Sequence, residues 1–257
     1  MDTELGEAFD AAKDVLGENT FFLHTSDHGA QWPFAKWSCY DGGILTPMFA
    51  VWPHKIAGGG RTHAMVSWID ILPTLVEVAG GHAPSGIDGR SFHGVLLQPS
   101  RSHRDRIFTT HTNDGRMNIY PTRSVRTADW KYLRNLHPEY YFSTHVDIVQ
   151  GNDAGPYFAS WVEKAKADPT AAFLVQRYHE RPGEELYDFQ SDPLELKNLA
   201  ADPFHRERLV TLRAEVTAWM LSQGDQGAVP VAPRLLSDPA RAEPPAPSAV
   251  KKTSNKR

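Results

Sequence analysis

Asp27 and His28 stand side by side at the end of a short apolar run, Thr20-Phe21-Phe22-Leu23, which has the composition of a buried strand. A carboxylate beside an imidazole at such a strand end is costly to desolvate unless something pairs with it. In open α/β sheets the carboxyl ends of strands are where ligands and metals sit. Gly29 lets the chain turn sharply after the pair. Lys36, eight residues past His28, can set a fixed cation against an anionic substrate. A plainer reading stands beside this one, in which Asp27 caps the next turn and His28 is an ordinary surface histidine.

The elements around the pair follow from spacing. Leu5, Ala8, Phe9, Ala12, Val15 and Leu16 make one helical stripe, and Gly17 ends it. A helix feeding the strand at 20–26 forms an α/β unit, which needs a parallel neighbour strand to bury it. With no earlier strand in the sequence, that half of the sheet is expected on sequence outside this chain. Pro47–Pro53 reads as the next strand. Ser67 and Asp70 have capping-box spacing before an apolar helix through Ile71, Leu72, Leu75, Val76 and Ala79, closed by Gly80-Gly81. Asp70 is read as a cap and Asp88 as a turn residue.

Near Gln98-Pro99-Ser100 the pattern changes to short strands at 107–110, 122–126, 131–135 and 184–188, joined by turn residues, which imply an antiparallel sheet. Asp202-Pro203 starts a helix whose stripe, Leu209, Leu212, Val216, Trp219 and Met220, should pack on one face of that sheet. Residues 139–183 are irregular, with helices expected over 156–166 and 170–179. The predicted organisation is an α/β part over 1–99, an antiparallel-sheet subdomain over 100–224 and a disordered tail over 225–257.

Composition excludes several classes. The 257 residues are 40% hydrophobic and 23% charged, as in an ordinary globular chain. A net charge of -4 gives no reason to expect nucleic acid or an anionic membrane surface. No apolar run is long enough for a membrane span. Cys39 is the single cysteine, so no internal disulfide forms, and with scattered histidines a zinc reading is weak. The start, Met-Asp-Thr-Glu-Leu-Gly-Glu, lacks the pattern of a signal peptide.

The string Ser26-Asp27-His28-Gly29, Lys36, Tyr40-Asp41-Gly42-Gly43, Thr46-Pro47 and Trp52-Pro53 resembles the sulfatase family of the alkaline-phosphatase-like superfamily. So do Ile69–Leu75, Gly86–Ser91 and the Leu-Tyr-Asp…Asp-Pro-x-Glu…Asn-Leu string at 186–199. Tyr120–Arg126 with Asn135-Leu136 looks most like the branch of heparan N-sulfatase (sulfamidase) and bacterial arylsulfatases. The resemblance implies an α/β fold: a partial alkaline-phosphatase-like mixed sheet with helices, then a small C-terminal antiparallel sheet with a packed helix. It implies Asp27 and His28 as ligands of a calcium ion, although His28 stands where that branch usually has Asn. Lys36 is implied as the sulfate contact, with His111, Asn113 and Arg123 at the substrate rim.

The family's nucleophile is a formylglycine made within Cys/Ser-x-Pro-x-Arg. Cys39 is followed by Tyr40-Asp41-Gly42-Gly43 and does not sit in that context. The formylglycine is therefore expected on upstream sequence, with this chain a C-terminal portion of a sulfate-ester or sulfamate hydrolase, inactive alone. Its expected partners are a sulfated small molecule or glycan and a complementing N-terminal half. Two alternatives remain open. One is a non-catalytic module holding sulfated glycans through Lys36, Arg116, Arg123 and Arg126; the other is a metal-dependent phosphoesterase of the same superfamily.

Overall fold

The computed structural model describes residues 2–115, 118–148 and 155–242. In chain order its elements are α1 (Asp2–Leu16), β1 (Phe22–Thr25), α2 (Asp41–Ile44), β2 (Met48–Val51), α3 (Ile71–Val78) and α4 (His93–Leu97). There follow β3 (Arg106–Asp114), β4 (Asn118–Thr127), β5 (Trp130–Asn135), α5 (His145–Ile148), α6 (Gly155–Ala165), α7 (Pro169–His179), β6 (Glu184–Asp188) and α8 (Arg206–Ser222). The mixed helix and strand composition with a C-terminal antiparallel sheet matches the expected fold class.

The first strand takes a partner within the chain that its sequence did not specify. β1 pairs antiparallel with β2, Phe22 opposite Val51 and Thr25 opposite Met48, in a two-stranded sheet with only half-buried residues along β1. Among the described residues no parallel neighbour lies beside β1. The apolar stripe of α1 finds little cover: Phe9 meets Phe22 edge-on at 5.6 Å, while Val15 is 81% exposed. Gly17 takes the left-handed conformation expected of a helix terminator.

The second sheet runs β3-β4-β5-β6, every pair antiparallel. Side chains alternate faces along a strand, and residues opposite each other share a face. Val125, Tyr132 and Leu186 are opposite neighbours, and they pack with Leu209, Leu212 and Val216 of α8, the helix face expected there. The reverse face presents Arg126, Lys131, Leu133, Glu185 and Tyr187. It meets the segment 34–41 through Cys39 and Tyr40.

Cys39 behaves as the small buried side chain that its lone occurrence suggests, and burial pushes its thiol up. Residues 225–242, assigned to the tail, carry contacts. Leu235 bridges Tyr140, the amide of Tyr141 donates to the carbonyl of Arg234, and Asp225 pairs with Arg123. The remainder of the expected tail, 243–257, lies outside the described residues.

Asp70 is the cap expected, and more. It accepts from the amide of Ser67 at 2.9 Å and of Arg90 at 2.8 Å, and it pairs with Arg104 and with His103 at 3.1 Å. Burial works to raise its carboxyl, but these partners hold it below its ordinary value. Removing one partner of a buried pair strands the other. Asp70→Ala should therefore lower the unfolding free energy by about 3–5 kcal/mol in urea titration. A change under about 1 kcal/mol would show that the cluster is solvated.

Candidate functional site

The start of the loop after β1 is held in close backbone contact with the segment at 42–43. The amide of Gly29 donates to the carbonyl of Gly43 at 3.0 Å, and a Cβ on Gly29 would lie 1.8 Å from the carbonyl oxygen of Gly42. Gly29 thus serves a close approach of two chain segments, not only the sharp turn expected of it. Lys36 closes the loop tip through its own amide, which donates to the carbonyl of Ala30 at 3.1 Å.

Between this loop and β3 lies a cleft of ≈ 370 Å³. Its lining includes His28, Lys36, Trp37, His111 and Asp114. The indole N–H of Trp37 donates to Asp114 Oδ2 at 2.5 Å, tying the loop to the end of β3. The Lys36 ammonium rests 4.5 Å from the centre of the Trp37 ring, a cation–π contact that directs it along the cleft wall.

Of the residues singled out from the sequence, His28, Lys36, His111 and Asn113 converge on this cleft. Asp27 sits outside it, its carboxylate 77% exposed and beside His28 of its own loop. Arg123 is placed differently from the expected substrate rim. It shares a sheet face with Val125, so it points toward α8, pairs with Asp225 there and donates to the carbonyl of His111. The period of the strand decides this, because the cleft lies on the other face. Arg126 is likewise occupied, paired with Asp41 at 3.1 Å, and Arg116 lies outside the described residues.

The Asp27–His28 pair carries a specific signature. His28 Nδ1 is 2.7 Å from the carbonyl oxygen of Gly29, which can only accept, so Nδ1 bears the proton. Nε2 faces Asp27 Oδ2 at 3.2 Å. Two acceptors at that distance repel unless a proton or a cation joins them. A proton on Nε2 or a cation each satisfies the contact, and as a donor set the pair supplies two of the six to eight ligands that calcium takes. Among the described residues no group of three or more His, Cys, Asp or Glu is gathered to complete it.

Two sequence patterns gain a structural answer here. His24 and His28 have His-x3-His spacing, yet His24 lies in β1 against Phe49, ring centres 5.1 Å apart, so the two do not share a helix face. The bare Cys/Ser-x-Pro-x-Arg spacing occurs at Ser237-Asp238-Pro239-Ala240-Arg241. That segment is a surface turn, Arg241 N–H donating to the Asp238 carbonyl, and it does not line the cleft.

What the sequence did not reveal is the anchor beneath the loop. Lys131, fully buried, places its ammonium 2.5 Å from Asp41 Oδ1 and 2.9 Å from Glu195 Oε1. The amide of Asp41 donates to Glu195 Oε2 at 2.7 Å. Burial pushes the carboxyl of Glu195 up, whereas for Asp41 the pull of Lys131 and Arg126 outweighs burial and holds it down. Alongside, Glu185 accepts from the hydroxyls of Tyr40 at 2.6 Å and Tyr187 at 2.5 Å, and from Asn135 at 2.7 Å.

His111 is pushed down to about 4 by burial, with the neighbouring Asn118 opposing the shift. A histidine whose folded value lies below its unfolded value of 6.5 leaves stability intact above 6.5. As pH falls from there toward about 4, the unfolded chain takes the proton first and stability drops. The loss should reach about 3 kcal/mol across that window, and His111→Gln should flatten it in denaturation at successive pH values. A slope unchanged by the substitution would show a solvated imidazole.

Comparison with known proteins follows the same stretch. Residues 27–147 match the family model of the C-terminal region of N-sulphoglucosamine sulphohydrolase. An ulvan-active sulfatase of Formosa agariphila is 32% identical over 87% of this chain and 42% of its own length. Human N-sulphoglucosamine sulphohydrolase is 28% identical over 88% of this chain and 46% of its own. This chain thus spans less than half the length of the curated relatives it matches.

Among solved structures, BT4656 in complex with its substrate D-glucosamine-2-N,6-O-disulfate superposes with a TM-score of 0.63. It is 18% identical and covers 88% of this chain and 39% of its own. A phosphonate monoester hydrolase from Silicibacter pomeroyi superposes with a TM-score of 0.59 at 18% identity, over 88% of this chain and 40% of its own. At that identity these last two speak for the fold alone.

Proposed function

This chain carries a C-terminal sulfatase-family region, and from that premise we propose that it forms the sulfate-gripping side of a hydrolase of sulfate esters or sulfamates. The observation that carries the reading is the convergence of His28, Lys36 and His111 on one cleft within the matched stretch. Hydrolysis at sulfur builds negative charge on the sulfuryl and leaving oxygens, and fixed cations stabilise that charge best when they are already in place. Lys36, tied by its loop and its contact with Trp37, meets that condition.

Asp27 and His28 would hold a calcium ion, which when bound polarises a sulfuryl oxygen. The formylglycine nucleophile and the remaining metal ligands belong, in this reading, to an N-terminal half, so the chain alone is inactive. The substrate class is a sulfated glycan or smaller sulfate ester, in keeping with the N-sulphoglucosamine family model and the substrate-bound neighbour. Since Arg123 and Arg126 are engaged internally, a purely glycan-binding module would lose half of its four expected cations. A phosphoesterase is the second reading, because a phosphonate monoester hydrolase shares the fold.

The test is the chain joined to its N-terminal half, assayed for sulfate release from an aryl sulfate and for hydrolysis of an aryl phosphodiester. Sulfate release that requires calcium and falls at least about a hundredfold in Asp27→Ala, with melting unchanged, is expected. Full turnover in Asp27→Ala would overturn the metal role, and faster phosphodiester hydrolysis would favour the second reading.

A further inference from the structure

Trp32 and Tyr157 are 48% and 49% exposed, yet their rings meet edge to face with centres 4.5 Å apart. Half-exposed aromatic rings this large keep considerable apolar surface in water, and a pair of them on rigid supports makes a ready contact for another flat apolar face. Both are held by neighbouring contacts. Trp32 N–H donates to the carbonyl of Ala30 at 2.9 Å, and Ala35 N–H donates to the carbonyl of Trp32 at 3.1 Å. Pro33 follows, further limiting the loop tip. Tyr157 precedes Phe158, which is buried against Tyr178 and so fixes the start of α6.

We propose that Trp32 and Tyr157 form a stacking subsite for a second pyranose ring of a sulfated oligosaccharide whose sulfated unit lies at Lys36. Two observations and the chemistry of sulfated sugars choose this occupant. The loop that carries Trp32 at its tip carries Lys36 at its closing bond, so one short segment presents both a cation and a flat apolar surface. Sulfated sugars present the matching pair, an anionic group and an apolar ring face of C–H bonds. The pair is also held in place beforehand, so little conformational entropy is lost on stacking. The proposal rests on the sulfate reading of the cleft and deepens it, since it selects glycan chains over simple aryl sulfates.

Calorimetric titration of the full chain with D-glucosamine-2-N,6-O-disulfate and with a heparin-derived tetrasaccharide tests both levels. Trp32→Ala should weaken the tetrasaccharide about tenfold and leave the monosaccharide within about twofold, while Trp32→Tyr restores most of the loss. Tyr157→Ala should act in the same direction, and it serves if Trp32→Ala melts early. Lys36→Ala should weaken both ligands. If the aromatic variants move neither ligand while Lys36→Ala moves both, the stacking subsite is overturned and the sulfate reading stands. If only the aromatic variants weaken the tetrasaccharide, the subsite stands and the role of Lys36 falls. No binding of either ligand to the unsubstituted chain overturns both.

Discussion

A lysine with no solvent exposure cannot keep its charge without partners, and Lys131 has two: Asp41 from the loop segment and Glu195 from beyond β6. The arrangement ties three distant stretches of chain to one point. Arg126 adds a second cation against Asp41, and the amide of Asp41 completes Glu195. Such a cluster is weak as a source of net stability, since desolvation offsets much of the attraction. Its strength lies in direction, because any shift of the loop would leave a buried charge without a partner.

The cleft inherits its shape from that anchor. With Tyr40 and Asp41 pinned on the sheet, Gly42 and Gly43 are brought so near Gly29 that no side chain fits between them. The turn after β1 is thereby set, and His28, Lys36 and His111 come to line one cleft. Trp37 closes the last gap, bonded to Asp114 and stacked on His145 with ring centres 4.8 Å apart. A cation held this way needs little reorganisation when it meets a charged oxygen.

Much of the scaffold was legible in the sequence, and the reasons differ by element. The 3.6-residue stripe of Leu209, Leu212 and Val216 gave α8 and its buried face, and turn residues separated β3 to β6. Asp70 could be recognised as a cap from its spacing with Ser67. The polar face of the sheet could not be read in the same way. Arg126, Lys131 and Glu185 alternate with apolar residues as a solvated face would, and only the fold shows that another segment covers them. Arg123 was misplaced for a related reason. A basic residue in a family motif suggests a ligand, but the strand period turns it toward Asp225. The pairing of β1 with β2 was also hidden, since both strands are short apolar runs that fit either direction.

If the buried charges set the loop, their loss should be felt at the cleft before it is felt in the sheet. Hydrogen exchange of Lys131→Met against the unsubstituted chain tests this most directly. The amides of Gly29 and Lys36, bonded to the carbonyls of Gly43 and Ala30, should lose protection, while those of Val125 and Tyr132, opposite each other in β4 and β5, keep theirs. Unchanged protection at Gly29 and Lys36 would show that the loop holds its shape without the anchor.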